Sequence, residues 1–327
     1  MLYNLDPAWP EIDAKIVVRE TKRLAFAMSR QGHPVTLAPV LDFDIEKPLE
    51  QFDPEECILF NWCESIPGIP HSEALAAEAL EELEFTCTGS TADVISLSEN
   101  KRRVKRLLDK AGIPSPKWRI FESVESAKTW DCFPAIVKAA NEHCSAGMTS
   151  DSVVLSTEDL RKQVAHVLKK HHQPALVEDF IDGREFHVTL WGNRQVEMLP
   201  LTEVDFSTCS NMRDRLYMYE TKFNSSAACQ KKLRTTISPS LSDDCVKLLE
   251  RTARDAYRLL GCRDYARIDI RQRYGLFYVL DVNPNADITS EDSVALSAKK
   301  AGYCYGAMGS HLVNLAAQRH PVFGLGM

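Results

Sequence analysis

Two triplets near the C-terminal end, Arg267-Ile268-Asp269 and Asp281-Val282-Asn283, hold the residues best suited to chemistry. Residues i and i+2 of a strand point to the same face. Arg267 and Asp269 therefore share one face of their strand, and Asp281 and Asn283 one face of theirs. If the two runs pair in register as a hairpin around Tyr274-Gly275, then Asp269, Asp281 and Asn283 converge. Two carboxylates and an amide oxygen, without His or Cys, suit a hard cation that retains waters and binds phosphates. That describes Mg2+, with Mn2+ as the alternative. Arg267 beside them suits an anionic or oxyanionic reacting group. The plainer reading is a salt-bridged hairpin with a solvated acidic end. Placement of the charges among Ile268, Ile270, Val279, Leu280 and Val282 argues against it, because it makes a sheet face with polar groups inside an apolar frame.

A second group is Ala135-Ile136-Val137-Lys138, followed by the small-residue stretch Ala139 to Met148, which includes Cys144 and Ser145. Lysine charge and loop N–H groups together make a phosphate clamp. The Walker pattern G-x-x-x-x-G-K-[ST] is absent, and a lysine ending an exposed edge strand is the competing reading. A third group is Val177-Glu178-Asp179-Phe180-Ile181-Asp182-Gly183-Arg184-Glu185. Two strands around the Asp182-Gly183 turn bring Glu178 and Glu185 near one pocket. A strand edge can hold adenine through backbone groups, and a carboxylate can accept from ribose hydroxyls. An ordinary hairpin is the alternative.

The elements that must position these residues alternate between strand and helix, which predicts an α/β protein with helix-covered sheets. Helices are expected at Asp13–Gln31, Ser72–Leu83, Ala92–Ala111, Thr157–Lys170, Val246–Leu260, Ser293–Ala301 and Tyr305–Ala317. Strands are expected at Leu2–Leu5, Val35–Val40, Cys57–Trp62, Phe85–Gly89, Lys117–Phe121, Ala135–Ala139, Val153–Leu155 and Ala175–Phe180. A hairpin follows from Glu185–Trp191 and Val196–Val204 around Gly192-Asn193, and another from Tyr265–Arg271 and Leu276–Asn283. Residues 205–240 are polar and irregular, as in a mobile lid or binding loop. At 327 residues the chain is long enough for two or three compact units. Its 39 Lys+Arg against 46 Asp+Glu give a net charge of −7, which argues against nucleic acid as a partner. No run approaches the roughly 20 apolar residues of a membrane span. The N-terminus does not read as a secretory signal, and the ten cysteines form no C-x-x-C pair. A reducing, cytoplasmic compartment is the expectation.

Taken in order, the three groups resemble the ATP-grasp superfamily, and within it the D-alanine–D-alanine ligase family. The resemblance spans about residues 58–317 and includes Thr88-Gly89-Ser90, Asn100-Lys101, Ala111-Gly112-Ile113-Pro114, Ile136-Val137-Lys138, Glu142–Met148, Glu178–Phe186, Ala266–Asp269 and Asp281–Asn283. It implies an ATP-grasp fold of three lobes (1–90, 91–182 and 183–327), with ATP between the second and third. It implies Lys101 and Lys138 on the ATP phosphates, with Cys144 and Ser145 on the loop covering them. Glu178 and the Ile181 backbone would meet adenine, and Glu185 the ribose. Asp269, Asp281 and Asn283 would hold the Mg2+. Arg267 would stabilise an acyl phosphate and the tetrahedral species that follows. Lys222 matches a lysine near the γ-phosphate and substrate. The implied reaction joins a small-molecule carboxylate to an amine, both amino-acid-like, through an acyl phosphate. A homodimer through the N-terminal lobe is an assembly the family often adopts.

The departures lie on the substrate side. The family's Gly-Gly-x-Ser-x-Glu loop is missing, and Asn4–Asp13 stands in its place. His143 replaces a glycine. Asn285-Ala286-Asp287-Ile288-Thr289 replaces Pro-Gly-Met-Thr, and Asp292-Ser293 stands where a serine would meet the second substrate's carboxylate. Asp287, Glu291 and Asp292 would repel a carboxylate and favour a cation. These changes predict a ligase whose substrate is not D-alanine, with a positively charged amine. The competing readings are a divergent D-alanine–D-alanine ligase, a catalytically silent nucleotide-binding protein, and a kinase that stops at a phosphorylated product.

Overall fold

Three sheets, each drawn from one stretch of sequence, carry the chain. In the computed structural model the described residues are 1–141, 148–217 and 233–326. The first sheet is parallel, with β1 (Leu2–Asn4) between β2 (Ala38–Val40) and β3 (Asn61–Trp62). Parallel neighbours need a crossover, and α1 (Glu11–Ser29) supplies it. α2 (Glu73–Glu82) follows β3. The strand expected from Cys57 is shorter than its sequence suggests: Leu59 makes only a single bridge, to Cys87.

The single helix expected over Ala92–Ala111 is two helices, α3 (Ala92–Glu99) and α4 (Lys101–Ala111). Asn100 breaks it. Its backbone leaves helical geometry (φ −86°, ψ 83°) while its side chain accepts from the Arg103 N–H, the behaviour that favours asparagine at a helix start. The break brings Lys101 to the first position of α4, with its N–H on the Ala140 carbonyl. Gly112, in the left-handed region at φ 68°, ends α4 as its sequence indicates.

The second sheet is antiparallel. β4 (Trp118–Phe121), β5 (Ala135–Ala139), β6 (Val153–Val154) and β7 (Ala175–Asp179) run in the order β4-β7-β5-β6. α5 (Thr157–His171) packs on it through Leu160, Val164 and Val167. β5 is an interior strand, so Lys138 is not an exposed edge residue.

The third sheet is the largest. β8 (Arg184–Trp191), β9 (Glu197–Met198), β10 (Thr202–Asp205), β11 (Arg234–Ile237), β12 (Tyr265–Arg273) and β13 (Leu276–Pro284) give the order β11-β10-β8-β12-β13, with β9 paired to β8. The return strand expected over Val196–Val204 is split in two around Pro200, which has no N–H to give the ladder. The segment 205–240 is less irregular than its composition suggests, for it contains β11 and a short turn of helix at Met212–Asp214. Its residues 218–232 lie outside the described part. One sheet face is apolar: Phe186, Val188, Leu190, Ile268, Ile270 and Val279 pack under α6 (Asp243–Leu260). α7 (Ser293–Lys300) and α8 (Tyr305–Ala317) close the chain.

The cores show which elements pack together. Val104 and Leu108 of α4 pack into the core of the third sheet, and Leu24 and Met28 of α1 pack with Trp191, Met308 and Leu312. The second sheet keeps a core of its own, from Phe121 to Val177. Among the described residues, no helix is long and apolar enough to cross a membrane.

Asp264 ties three of these parts together. It is fully buried, and it accepts from the Gly89 N–H (2.8 Å), from Asn193 Nδ2 (3.1 Å) and from both ends of the Arg319 guanidinium (2.7 and 2.6 Å). Removing one partner of a buried pair leaves the other uncompensated. Asp264→Ala should therefore lower the free energy of unfolding in urea by about 3–5 kcal/mol. A loss below about 1 kcal/mol would show that the network is not holding the junction.

Candidate active site

The face of the third sheet opposite α6 is a polar ladder. Alternation puts Glu185, His187 and Thr189 of β8 on it, because Phe186, Val188 and Leu190 are committed to the core. Antiparallel register sets Glu185 opposite Arg271, His187 opposite Asp269 and Thr189 opposite Arg267. On the other side of β12, Asp269 faces Asp281 and Arg267 faces Asn283. The β12–β13 pairing slips between Asp269 and Ile270, so that Leu280 has no partner. Such a bulge re-aims the side chains beside it. The convergence expected of Asp269, Asp281 and Asn283 is present in this geometry.

The contacts are close. Arg267 Nε lies 2.7 Å from Asp269 Oδ1, and Asn283 Nδ2 lies 3.0 Å from Asp269 Oδ2. Lys101 Nζ is 3.0 Å from Asp281 Oδ2. Burial alone would raise the Asp281 carboxyl, but Lys101 and Lys138 outweigh it and hold it below its ordinary value. Burial likewise disfavours a charged Arg267, yet Asp269 and Asp292 keep its guanidinium firmly protonated. Among the described residues no three His, Cys, Asp or Glu side chains group to hold a metal. The donor set still fits a hard divalent cation, with two carboxylates and an amide on one patch. Such an ion would complete its shell with water and phosphate oxygens.

Beside this patch lies a knot of buried charge that residue patterns alone did not reveal. Glu178 of β7, 1 % exposed, sits between Lys105 (2.6 Å) and Lys138 (2.7 Å). Lys105 comes from α4 and also donates to the Val279 and Leu280 carbonyls. Burial pushes Glu178 up, but the two lysines win and hold it at about 2. For Lys138, burial lowers the ammonium's affinity for its proton, and Glu178 and Asp281 more than restore it. Lys105 missed notice because a lysine four residues after Lys101 reads as an ordinary exposed helix position.

The turn between the second and third sheets is clamped by arginines. Arg273 pairs with Asp179, Arg215 chelates Asp182 at 3.0 and 2.9 Å, and Arg271 donates to the Ile181 carbonyl at 3.0 Å. Gly183 is required here, since a Cβ would lie 1.8 Å from the Gln272 carbonyl oxygen. Burial would raise Glu185, but Arg271 at 2.6 Å and His187 bring it down to about 2. His187, 1 % exposed, accepts or donates at Nδ1 to Ser293 Oγ (2.9 Å) and turns Nε2 toward Glu185 at 3.5 Å.

On the substrate side, the acidic residues read from the sequence are placed differently from one another. Asp292 is the N-cap of α7, takes the Ser293 N–H at 2.6 Å and faces Arg267 at 3.4 Å. Asp287 takes the Thr289 N–H, and Glu291 is exposed at the rim. Two further acids join from the first lobe, Glu64 and Glu73. Glu64 reaches water yet is ringed by protein, as in a cleft wall. Burial, Asp287 and Asp292 raise its carboxyl to about 7. Burial, Glu64 and Glu99 raise Glu73 well above its ordinary value. Asn4, in the place of the missing glycine-rich loop, takes the Glu64 N–H (3.1 Å) and donates to Ser65 Oγ (2.8 Å). Cys144, Ser145 and Lys222 lie outside the described residues.

A family profile described as "D-ala D-ala ligase C-terminus" matches residues 107–314. The chain belongs to the D-alanine–D-alanine ligase family. With that family it takes the ATP-grasp fold and the class of ATP-dependent, ADP-forming ligases. It is 31 % identical to a D-alanine–D-alanine ligase of Carboxydothermus hydrogenoformans, over 69 % of this chain and 71 % of that one. It is 29 % identical to an uncharacterized protein, y4sG, of Sinorhizobium fredii, over 92 % of this chain and 88 % of that one. The crystal structure of D-alanine–D-alanine ligase from Bacillus anthracis complexed with ATP superposes with a TM-score of 0.72, at 16 % identity, covering 98 % of this chain and 97 % of that one. The family's reaction uses small molecules, ATP and a divalent metal.

Glu178 offers a test with a definite sign. Its folded value of about 2 lies below its ordinary 4.5. Its stabilisation is therefore complete above pH 4.5 and is lost as the pH falls toward 2. Glu178→Gln should cost about 3 kcal/mol at pH 7, and the variant should lose less stability than the parent on acidification from pH 4.5. Parallel acid-unfolding curves for the two proteins would contradict the pairing.

Proposed function

We propose that the chain is an ATP- and Mg2+-dependent ligase that joins a carboxylate to an amine, and that its amine is not D-alanine but carries additional positive charge. The observation that carries the second part is the acidic wall of Glu64, Glu73 and Asp287, joined by the Asp292 that faces Arg267. Two carboxyls driven above their ordinary range by burial and by neighbouring acids are relieved by a bound cation and made worse by a bound carboxylate. A basic amino acid or a diamine fits that wall.

The roles follow position by position. Lys101 and Lys138 hold the phosphates. By the family resemblance, Cys144 and Ser145 act on the phosphates and Lys222 serves the reacting γ-phosphate. The Ile181 backbone and Glu178 face adenine, and Glu185 the ribose. Asp269, Asp281 and Asn283 hold the metal, which when bound offsets negative charge on the phosphoryl oxygens. Arg267 stabilises the oxyanion. Asp287, Asp292 and Ser293 line the amine side, Asp292 by holding Arg267 and the start of α7. The lobes are 1–90, 91–182 and 183–327, with α3 and α4 packed on the core of the third. A cytoplasmic location and a homodimer complete this reading.

In the reaction a carboxylate oxygen attacks the γ-phosphorus, and the bond to ADP breaks. The amine nitrogen then attacks the acyl carbon, a proton leaves the nitrogen, and the carbon–oxygen bond to phosphate breaks. Arg267 opposes the charge that gathers on the acyl oxygen in the second step. Exclusion of water protects the acyl phosphate from hydrolysis. A divergent D-alanine–D-alanine ligase is the second reading, favoured by the identity to enzymes of that name.

ADP and phosphate release with Mg2+-ATP should be stimulated by a pair drawn from a panel of D- and L-amino acids and diamines, and Asp269→Ala should silence it. Release driven by D-alanine alone would favour the second reading; wild-type rates in Asp269→Ala would remove the metal assignment. Arg267→Ala should lower kcat by about 100-fold or more while changing ATP affinity little. Equal losses in both would make Arg267 a binding residue.

A further inference from the structure

Arg271 is 3 % exposed and makes three strong contacts to parts of the chain that are distant in sequence. Its Nε meets Glu185 Oε2 at 2.6 Å, its Nη1 the Ile181 carbonyl at 3.0 Å, and its Nη2 the Arg215 carbonyl at 2.5 Å. The guanidinium lies near the faces of both Phe180 and Phe206, at 4.8 and 5.2 Å from the ring centres. A flat, five-donor group can serve three acceptors in one plane between two rings, and an ammonium cannot.

The contacts have a direction. Arg271 binds only one oxygen of Glu185, Oε2, and leaves Oε1 turned along the ladder toward His187. Arg271 also donates to the carbonyl of Ile181, which holds this stretch of backbone in a set orientation. We infer that Arg271 is a positioning residue for nucleotide recognition, which fixes Glu185 so that Oε1 accepts from a ribose hydroxyl and fixes Ile181 so that its N–H meets the base. The inference rests on the proposed reading that Glu185 faces the ribose. It adds that this carboxylate discriminates the sugar only while Arg271 holds it.

The test is the binding of ATP, 2′-deoxy-ATP and 3′-deoxy-ATP to the full chain with Mg2+, by calorimetry. It needs no knowledge of the carboxylate or the amine. Wild type should bind ATP about 10-fold more tightly than at least one deoxy analogue, the loss of one charge-assisted hydrogen bond. Arg271→Lys, which keeps the charge, should reduce that ratio to about 2-fold or less, because the discriminating oxygen is no longer held. Glu185→Gln keeps the shape of the side chain and removes the charged acceptor, and it should reduce the ratio similarly. If Arg271→Lys fails to fold, Phe206→Leu, which loosens the guanidinium without removing it, provides the test and should reduce the ratio in the same direction. Equal binding of all three nucleotides by wild type would overturn the ribose reading and the inference with it. A wild-type preference that survives in Arg271→Lys would overturn the inference alone, whereas one that survives in Glu185→Gln would overturn the ribose reading as well. A loss of stability without a change in the ratio would mark Arg271 as merely structural.

Discussion

The carboxylate of Glu178 lies out of water between two lysines that arrive from different elements, and much of the site is arranged around that fact. A buried carboxylate is costly unless it is paired. Pairing here requires α4 to start where Asn100 breaks the helix, so that Lys105 can reach across. It also requires β5 to be interior, so that Lys138 enters from the same sheet. Lys105 then fixes the backbone of Val279 and Leu280, where β13 bulges just before Asp281. One charge constraint thus links β7 to the hairpin that carries Asp269, Asp281 and Asn283.

The same logic runs along the ladder of β8 and β12. Glu185 has Arg271 across the strand and Asp269 has Arg267 two residues away, and at the end of β12 Arg273 reaches Asp179 of the second sheet. In the acidic wall of Glu64, Glu73 and Asp287 like charges meet instead: burial, then Asp287 and Asp292, raise Glu64, and burial, then Glu64 and Glu99, raise Glu73. Active sites hold such like-charge groups where a ligand supplies the missing charge. That contrast separates the ladder, whose charges are paired, from the acidic wall, and it is the ground of the proposed division into a nucleotide half and an amine half.

Much of the polar ladder was legible in the sequence, because strand alternation is a local rule. Arg267, Asp269, Asp281 and Asn283 could be placed on one face from period two and a hairpin turn alone. Lys138 could be read from its place at the end of an apolar run, although its interior position could not. What escaped depended on contacts between distant segments. Lys105 and Arg271 each look like solvent-facing residues in their own windows, and only packing shows them buried. Glu64 and Glu73 lie more than 200 positions from Asp287, so no spacing rule could join them to it. His187 sits in a strand whose alternation marked its face, but its partner Ser293 lies 106 residues on. The break at Asn100 was visible as a helix-starting residue inside a helical pattern, a signal that the periodicity on both sides concealed.

The central claim is that a family ligase has kept its nucleotide half and changed its amine half. It is tested most directly by the mass of the product formed from Mg2+-ATP and an equimolar mixture of D-alanine, basic and acidic amino acids, and a diamine. The account predicts an amide whose amine component is basic, formed with one ADP per bond. A product made only of D-alanine would contradict it, and would show that the acidic wall plays no part in choosing the substrate.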